Sequence, residues 1–322
     1  MARKAEQKKY LVIQSNQFVR YFRHDETWTK QRQDCYFFLA SLINRDDEPG
    51  KKYRFSADFM RENLMMTDSG TNYKDIMDTL KALRDKSYWI RNERGNREVV
   101  SILQSVEISE ETGMIEVQFH RLMQPYLFNL KKLYTLESYG TLRAFDCKYT
   151  SDLYSFLLSY FGEKGEIPMD FDVSLKELKE RLYCQYDRWP DIKRFVIDKA
   201  IDEINSYSSR MRVSYTAQKE KNKIISLQFH LWKPNRKDAD NSLLAISLQE
   251  AYQRRHKQGI QTKKTKQKKE KLLKADEKLK EIETQLTTGA TLEEIAESTR
   301  EYINLRREAE QPKLQWEGRE DG

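Results

Sequence analysis

The chain contains 322 residues, of which 38% are hydrophobic and 34% charged, and it carries a net charge of +7 at pH 7. The positive excess is spread thinly along the chain, so any anion-binding site depends on local clustering. No run approaches the roughly eighteen consecutive apolar residues of a transmembrane helix, and the polar start of the chain is unlike a secretory signal peptide. The cysteines Cys35, Cys147 and Cys184 lack metal-ligand spacing, so we expect free thiols in a reducing, cytoplasmic compartment.

The first part of the chain predicts three helices and a set of β-strands. Residues 29–44 carry apolar side chains at helical spacing, and Ser56 is placed to cap a second helix that ends near Leu64. Thr71 or Asn72 opens the third helix. The β-type runs are 53–55, 88–90, 99–108 and 114–119. Three helices followed by a β-hairpin is the order of a winged-helix domain, a variant of the helix-turn-helix.

The same order of elements is predicted again further along the chain. Residues 142–161 form a helix, Ser174 and Glu177 occupy the capping-box positions of the next helix, and Pro190 lies in the first turn of a third helix ending near residue 207. The strands that follow are 211–215 and 223–231, with the polar turn 218–222 between them.

Two details indicate that one winged-helix unit has been duplicated. The apolar residues of the two third helices have matching spacing: Ile76, Thr79, Leu80 and Leu83 in one, Ile197, Ala200, Ile201 and Ile204 in the other. The last strands end alike, in Val-Gln-Phe-His at 117–120 and in Leu-Gln-Phe-His at 227–230. Agreement of element order, helix spacing and strand ending points to an internal repeat.

We therefore predict an α+β protein of two tandem, duplicated winged-helix domains with a charged, partly helical C-terminal tail. The domains are 1–132 and 133–240, and the tail is 241–322. Residues 254–274 of the tail contain ten Lys or Arg and one Glu, a pattern that fits either DNA-backbone binding or a solvated linker. Thr291 begins a capping box that predicts one more amphipathic helix.

The second domain resembles the initiator Rep (RepB-type) family of iteron-plasmid replication initiators. The resemblance rests on YTSDLYSFL at 149–157, VSLKEL at 173–178 and, most strongly, IKRFVIDKAIDEIN at 192–205. It implies sequence-specific binding of double-stranded DNA at repeated origin sequences (iterons) as a monomer. It also implies a homodimer that represses its own gene at an operator, host replication proteins as candidate partners, and no cofactor. The second domain is then the main DNA reader.

The candidate DNA-binding residues lie on the third helices and the wings, because a helix can place side chains in the major groove while a basic wing reaches phosphates. In the first domain they are Asn72, Lys74, Lys81, Arg84, Arg91, Arg94 and Arg97. In the second they are Arg188, Lys193, Arg194, Lys199, Lys219, Lys221 and Lys223. The alternative is a solvated surface on which Asp187, Asp191 and Asp198 pair with these cations, with Asn72 serving only as a helix cap.

Two other functions remain open from the residues alone: a transcriptional repressor with no role at an origin, and a DNA-nicking enzyme. The histidines His24, His120, His230 and His256 never fall at metal-ligand spacing, and no Walker-type phosphate loop is present. Asp170 and Asp172 are placed in a turn before a helix and are interpreted as caps. We therefore expect no enzyme, no catalytic residue, no metal site and no membrane association.

Overall fold

A computed structural model of the chain describes residues 10–25, 28–64, 70–91, 94–161, 168–288 and 297–305. The chain divides into two compact units, one within residues 1–66 and 75–251 and the other within 67–74 and 252–322. Both winged-helix domains belong to the first unit, except for residues 67–74. In the described part of the chain, no helix combines the length and apolar character needed to cross a membrane.

The first winged-helix domain begins with a strand that sequence patterns did not reveal. Its helices are α1 (Asn16–Tyr21), α2 (Lys30–Ser41), α3 (Ala57–Asn63), α4 (Gly70–Asp85) and the short α5 (Gln124–Leu127). Its strands are β1 (Leu11–Ser15), β2 (Lys52–Ser56), β3 (Ser87–Arg91), β4 (Arg97–Ser101), β5 (Leu103–Ile108) and β6 (Met114–Phe119). Thr29 and Ser56 cap α2 and α3. Each side-chain hydroxyl accepts a hydrogen bond from the backbone N–H of the residue three positions later.

The second domain repeats this order. Its helices are α6 (Tyr139–Ala144), α7 (Thr150–Tyr160), α8 (Leu175–Arg181), α9 (Trp189–Ile192) and α10 (Lys199–Tyr207), with a π-helical turn, Lys193–Asp198, joining the last two. Its strands are β7 (Tyr134–Ser138), β8 (Met169–Ser174), β9 (Arg212–Glu220) and β10 (Lys223–Trp232). Helix α11 (Arg236–Thr288) follows, and residues 297–305 are also helical.

The duplication is visible in the sheets. Each domain has a three-stranded antiparallel sheet with its last strand in the centre, β2-β6-β5 in the first and β8-β10-β9 in the second. The repeated endings of β6 and β10 have a packing reason, since Val117, Phe119, Leu227 and Phe229 are all buried. The eight matched residues of the third helices are buried too. The first domain adds a separate β3–β4 hairpin.

An antiparallel pair of strands relates the two domains by an approximate two-fold axis. Strands β1 and β7 pair with Ile13 opposite Leu136, and the flanking pairs are symmetric about that position. Helix α1 packs on α7 of the other domain, and α6 packs on α2. Asn16 Nδ2 donates a hydrogen bond to the Ser159 carbonyl at 2.9 Å. These exchanged contacts fix the two domains against each other.

A buried arginine reinforces this junction. Arg181, at the end of α8, donates from Nη1 to the Val19 carbonyl at 3.0 Å and also bonds the Arg20 carbonyl. Its guanidinium lies 3.6 Å from the centroid of the Phe156 ring. Carbonyls at the end of α1 are acceptors without a partner inside their own helix, so a cation from the other domain satisfies them.

Four expectations about elements are wrong. Residues 142–161 form two helices, because the Glu203 carboxylate accepts hydrogen bonds from Cys147 N at 3.1 Å and Thr150 Oγ1 at 2.6 Å and so starts α7 at residue 150. Residues 99–108 form two strands, since the consecutive buried residues Ile102 and Leu103 break the alternation and move the chain between sheets.

The third concerns Asp170 and Asp172, which lie in strand β8 rather than in a capping turn. Asp170 Oδ1 is 2.8 Å from His230 Nδ1, and Asp172 Oδ1 accepts from Gln218 Nε2 at 3.2 Å, both across the sheet.

The wing is also longer than predicted. Strands β9 and β10 pair up to Glu220 and Lys223, so only Lys221 and Asn222 make the turn, and Lys221 takes a left-handed φ of 54°.

The first turns of α11 pack on the second domain. Arg212 donates to the Asp238 carbonyl and to Ser242 Oγ, both at 2.9 Å. Ser242 and Ile246 are buried, and Glu250 forms an ion pair with Arg143. Removing residues 241–251 would therefore expose part of this domain. The division of the chain at residues 132 and 240 stays a prediction.

Candidate nucleic-acid interface

The third helix of the second domain separates a buried from an exposed face. Pro190 lies in its first turn, where its missing N–H leaves no bond unmade. The buried residues are Ile192, Val196, Ile197, Ala200, Ile201 and Ile204. The π-helical turn falls between the two regular parts of this helix, and such turns are frequent at functional sites. Four candidates, Arg188, Lys193, Arg194 and Lys199, are exposed on or just before it.

Two of these cations are held by acidic neighbours. Lys193 Nζ lies 2.5 Å from Asp198 Oδ2, and this hydrogen bond raises the pKa of the lysine. The Tyr215 hydroxyl of β9 donates to the other Asp198 oxygen at 2.8 Å. Arg188 Nε lies 2.9 Å from Asp191 Oδ2. The pairing that the sequence left open thus forms at Asp191 and Asp198, while Asp187 pairs with Lys179 instead.

Arg194 and Lys199 differ from these two. Among the described residues no carboxylate lies within ion-pair distance of either. The Arg194 guanidinium is 5.1 Å from the centroid of the Phe195 ring. Phe195 was not among the predicted site residues, yet it is 41% exposed on this helix. The sequence did contain a signal for Phe195. It directly precedes Val196 and Ile197, which occupy the buried face of the helix, so its own side chain must lie off that face.

The wing of the second domain carries the three predicted lysines. Lys219, Lys221 and Lys223 are all exposed near the tip of the β9–β10 hairpin. Glu220 is the cross-strand neighbour of Lys223, and Ile224 is that of Lys219. The tip therefore presents a local positive charge. Such a charge suits contact with DNA phosphates, which needs no specific geometry toward a base.

In the first domain the predicted residues separate into groups. Asn72 and Lys74 lie in the first turns of α4, within the second compact unit, and the Asn72 side chain is outside the described residues. Lys81 and Arg84 are exposed on the part of α4 that belongs to the first unit, and Arg84 Nη1 lies 2.8 Å from Asp85 Oδ1.

The three wing arginines of the first domain lie on the β3–β4 hairpin. Arg91 donates to the Gly95 carbonyl at 2.9 Å across the turn that also holds the exposed Arg94. Arg91 and Arg97 line a cavity of about 770 Å³, together with Trp89 and, from the second domain, Lys179. The hairpin thus faces the α8 end of the other domain rather than standing alone.

Three of the four histidines have structural partners, and the side chain of His256 lies outside the described residues. His24 Nε2 lies 2.9 Å from Asp152 Oδ2, and His120 Nδ1 accepts from Leu122 N at the start of a helical turn. His230 pairs with Asp170 as described above. Within the described ranges, no group of three His, Cys, Asp or Glu side chains is arranged to hold a metal ion.

Tandem winged helices with exposed cations on the third helix and a lysine-tipped wing define a DNA-binding class of protein. The sequence model described as "Initiator Replication protein, WH1" matches residues 11–158, and "Initiator Rep protein, WH2" matches residues 174–231. The chain belongs to this family of replication initiator proteins, and the family resemblance and the two winged-helix domains are confirmed. The family is defined by DNA binding rather than by catalysis.

Curated relatives agree with this assignment, and a solved structure agrees with the fold. A PI protein of Escherichia coli is 27% identical over 145 residues, 40% of this chain and 47% of its own length. A replication initiation protein of Escherichia coli is 29% identical over 99 residues, 30% of each chain. The chain thus matches less than half the length of either relative. The crystal structure of Pi initiator protein in complex with iteron DNA has a TM-score of 0.56 at 20% identity, covering 71% of this chain and all of that one, which supports the fold.

Proposed function

We propose that this protein is a plasmid replication initiator that binds repeated origin sequences specifically and starts replication in the cytoplasm of its host. The observation that carries the proposal is the exposed face of α9–α10, where no carboxylate of the described residues lies within ion-pair distance of Arg194 or Lys199, beside a lysine-tipped wing. Membership of the initiator family supports the origin as the target.

The second domain, residues 133–240, is the main DNA reader in this proposal. Its third helix enters the major groove, where an arginine donates two hydrogen bonds to guanine. Lys219, Lys221 and Lys223 at the wing tip contact flanking phosphates, which supply affinity without sequence information. Lys193 and Arg188 are less available, because Asp198 and Asp191 compete with phosphate for them.

The first domain supplies the second contact. The two domains are fixed to each other by the β1–β7 pair and Arg181, so their third helices dock as one rigid reader. Arg91, Arg94, Arg97, Lys81 and Arg84 then contact the backbone or bases of a neighbouring groove, with Asn72 and Lys74 at the start of α4. The protein binds each repeat as a monomer, and a homodimer represses its own gene at an operator. Host replication proteins are the further partners.

The test uses a plasmid whose only origin carries the repeats next to this gene. Hydroxyl-radical footprinting should show protection in two successive major grooves of each repeat, about 34–36 Å apart. Replication should require the protein and the repeats. Arg194→Ala with Lys199→Ala should abolish both protection and replication, whereas Lys280→Ala, an exposed charge loss in the tail, should leave them intact. Specific operator binding without any effect on replication would instead identify a transcriptional repressor.

A further inference from the structure

Phe195 is an aromatic side chain on the exposed face of the third helix, and its surroundings hold it in place. Its ring stacks on Tyr186 at a centroid distance of 5.4 Å and an interplanar angle of 25°. The Arg194 guanidinium lies 5.1 Å from its centroid on the adjoining position. A single exposed apolar residue is ordinary on a protein surface, but a stacked aromatic in the middle of a recognition helix is a rigid, preorganised apolar contact.

The helix geometry directs this ring to the same side as the free cations. Phe195 lies in the π-helical turn, and Lys199 follows it by four residues, the spacing at which helical side chains are neighbours. The next two residues, Val196 and Ile197, are buried and point into the core. The DNA-facing surface therefore combines Arg194, Phe195 and Lys199, two cations with an apolar ring between them.

The major groove offers one apolar group, the C5 methyl of thymine, and phenylalanine is among the side chains that contact it. Arg194 is suited to the N7 and O6 acceptors of guanine. We propose that Phe195 is a specificity-determining residue that packs on a thymine methyl next to the base read by Arg194. This inference rests on the proposed function, because it requires α9–α10 to dock in the major groove.

The test removes the methyl group and nothing else. Cognate repeat duplexes are prepared in which each thymine in turn is replaced by deoxyuridine, and binding is measured by fluorescence anisotropy at fixed salt. One replacement should weaken the wild-type protein about fourfold, the ratio that ~0.8 kcal/mol per buried methylene group gives. Phe195→Ala should bind the thymine and the uracil duplex equally at that position.

Two control variants separate this effect from a general loss of binding. Tyr134→Ala removes an aromatic ring of the same exposed fraction, 41%, from strand β7, and it should keep the fourfold preference. Arg194→Ala should weaken both duplexes but also keep their ratio. Thermal unfolding of Phe195→Ala should remain cooperative with a modestly lower Tm, since the ring is half-buried and stacks on Tyr186.

Each outcome bears on one proposal. If the wild-type protein binds every uracil duplex as well as the thymine duplex, or if Phe195→Ala retains the preference, Phe195 does not read a methyl group although the proposed function stands. If the protein discriminates no repeat from random DNA, the proposed function fails and this inference fails with it.

Discussion

Glu137 is a buried carboxyl at the junction of the two domains, and replacing it with glutamine should stabilise the protein at neutral pH. The residue is fully buried in β7, where Oε2 accepts from Ser155 Oγ at 3.0 Å. Oε1 has no hydrogen-bond partner within the described residues. Burial raises the pKa of this carboxyl to about 8, with Asp152 adding to the effect and Ser155 and Arg210 opposing it.

The sign and size of this change in stability follow from the linkage between protonation and folding. Between the ordinary pKa of 4.5 and the folded value of about 8, the folded state keeps a proton that the unfolded state releases, so stability falls as pH rises through this window. Each pH unit costs about 1.4 kcal/mol, which gives about 3 kcal/mol at pH 7. Below pH 4.5 both states are protonated and the cost disappears.

The chain contains a natural precedent for the substitution. Under the two-fold relation of β1 and β7, Gln14 is equivalent to Glu137. Gln14 precedes Ser15, which caps α1, and Glu137 precedes Ser138, which lies at the start of α6. Gln14 is also buried and donates to the Tyr36 hydroxyl. A neutral amide is therefore already accepted at one of the two equivalent sites.

Calorimetric melting from pH 4.5 to 8.5 measures the effect. Glu137→Gln should raise Tm by about 2–4 °C for each kcal/mol gained at pH 7, and the gain should vanish near pH 4.5. The reciprocal variant Gln14→Glu should lower Tm, and more so as pH rises. A Tm difference between Glu137→Gln and wild type that is the same at every pH would refute the reasoning.

Three further predictions concern DNA. Arg194→Ala should weaken cognate binding about 5- to 150-fold, the equivalent of ~1–3 kcal/mol for a guanine contact, while Lys193→Ala should have a smaller effect because Asp198 holds that lysine; an unchanged ratio of cognate to random-sequence affinity for Arg194→Ala would contradict base reading. Supercoiled origin plasmid incubated with the protein and Mg²⁺ or Mn²⁺ should stay uncut, and nicking that a single Tyr→Phe change abolishes would identify an enzyme. Truncation after Ala251, which keeps Ser242 and Ile246 in place, should preserve site discrimination but lower the slope of log affinity against log salt by about 0.9 per lost phosphate contact; an unchanged slope would make the lysine run a linker.

Local signals in the sequence were sufficient for the starts of three helices, α3, α8 and α9. Ser56 and Ser174 cap α3 and α8 as expected, each accepting a backbone N–H at 3.1 Å, and Pro190 begins α9. Strands β1 and β7 were missed because their pairing joins residues more than a hundred positions apart. Neither strand has a partner within its own domain, so no hairpin signal marks them.

A second repeat in the sequence would have corrected the boundary of α7. Residues 34–41 and 152–159 are identical at five of eight aligned positions. The identical pairs are Asp34/Asp152, Tyr36/Tyr154, Phe38/Phe156, Leu39/Leu157 and Ser41/Ser159. The serines have the same role, each donating from Oγ to the carbonyl three residues earlier at 2.7 Å. Aligning these segments places the start of α7 opposite that of α2, near residue 150 rather than 142.

The exposure of the candidate cations was predictable, because lysine and arginine off the apolar face of an amphipathic helix remain in solvent. Which of them carry an acidic partner was not. Asp191 and Asp198 lie two residues before and five residues after Lys193, and the π-helical turn and the position of Tyr215 on β9 favour Asp198 as its partner.

The two domains share a scaffold but not a reading surface, and this has a consequence for the target. In the alignment that places Ile76 on Ile197, Arg194 corresponds to Tyr73, Phe195 to Lys74 and Lys199 to Asp78. A homodimeric helix-turn-helix protein presents one helix twice and therefore reads a palindrome. Two unlike recognition helices in one chain read two unlike half-sites, so we expect each repeat to be asymmetric and to have a direction. A homodimer that uses the second domain of each subunit would present Arg194 and Phe195 twice, and its operator would then be an inverted pair of the half-site that this domain reads.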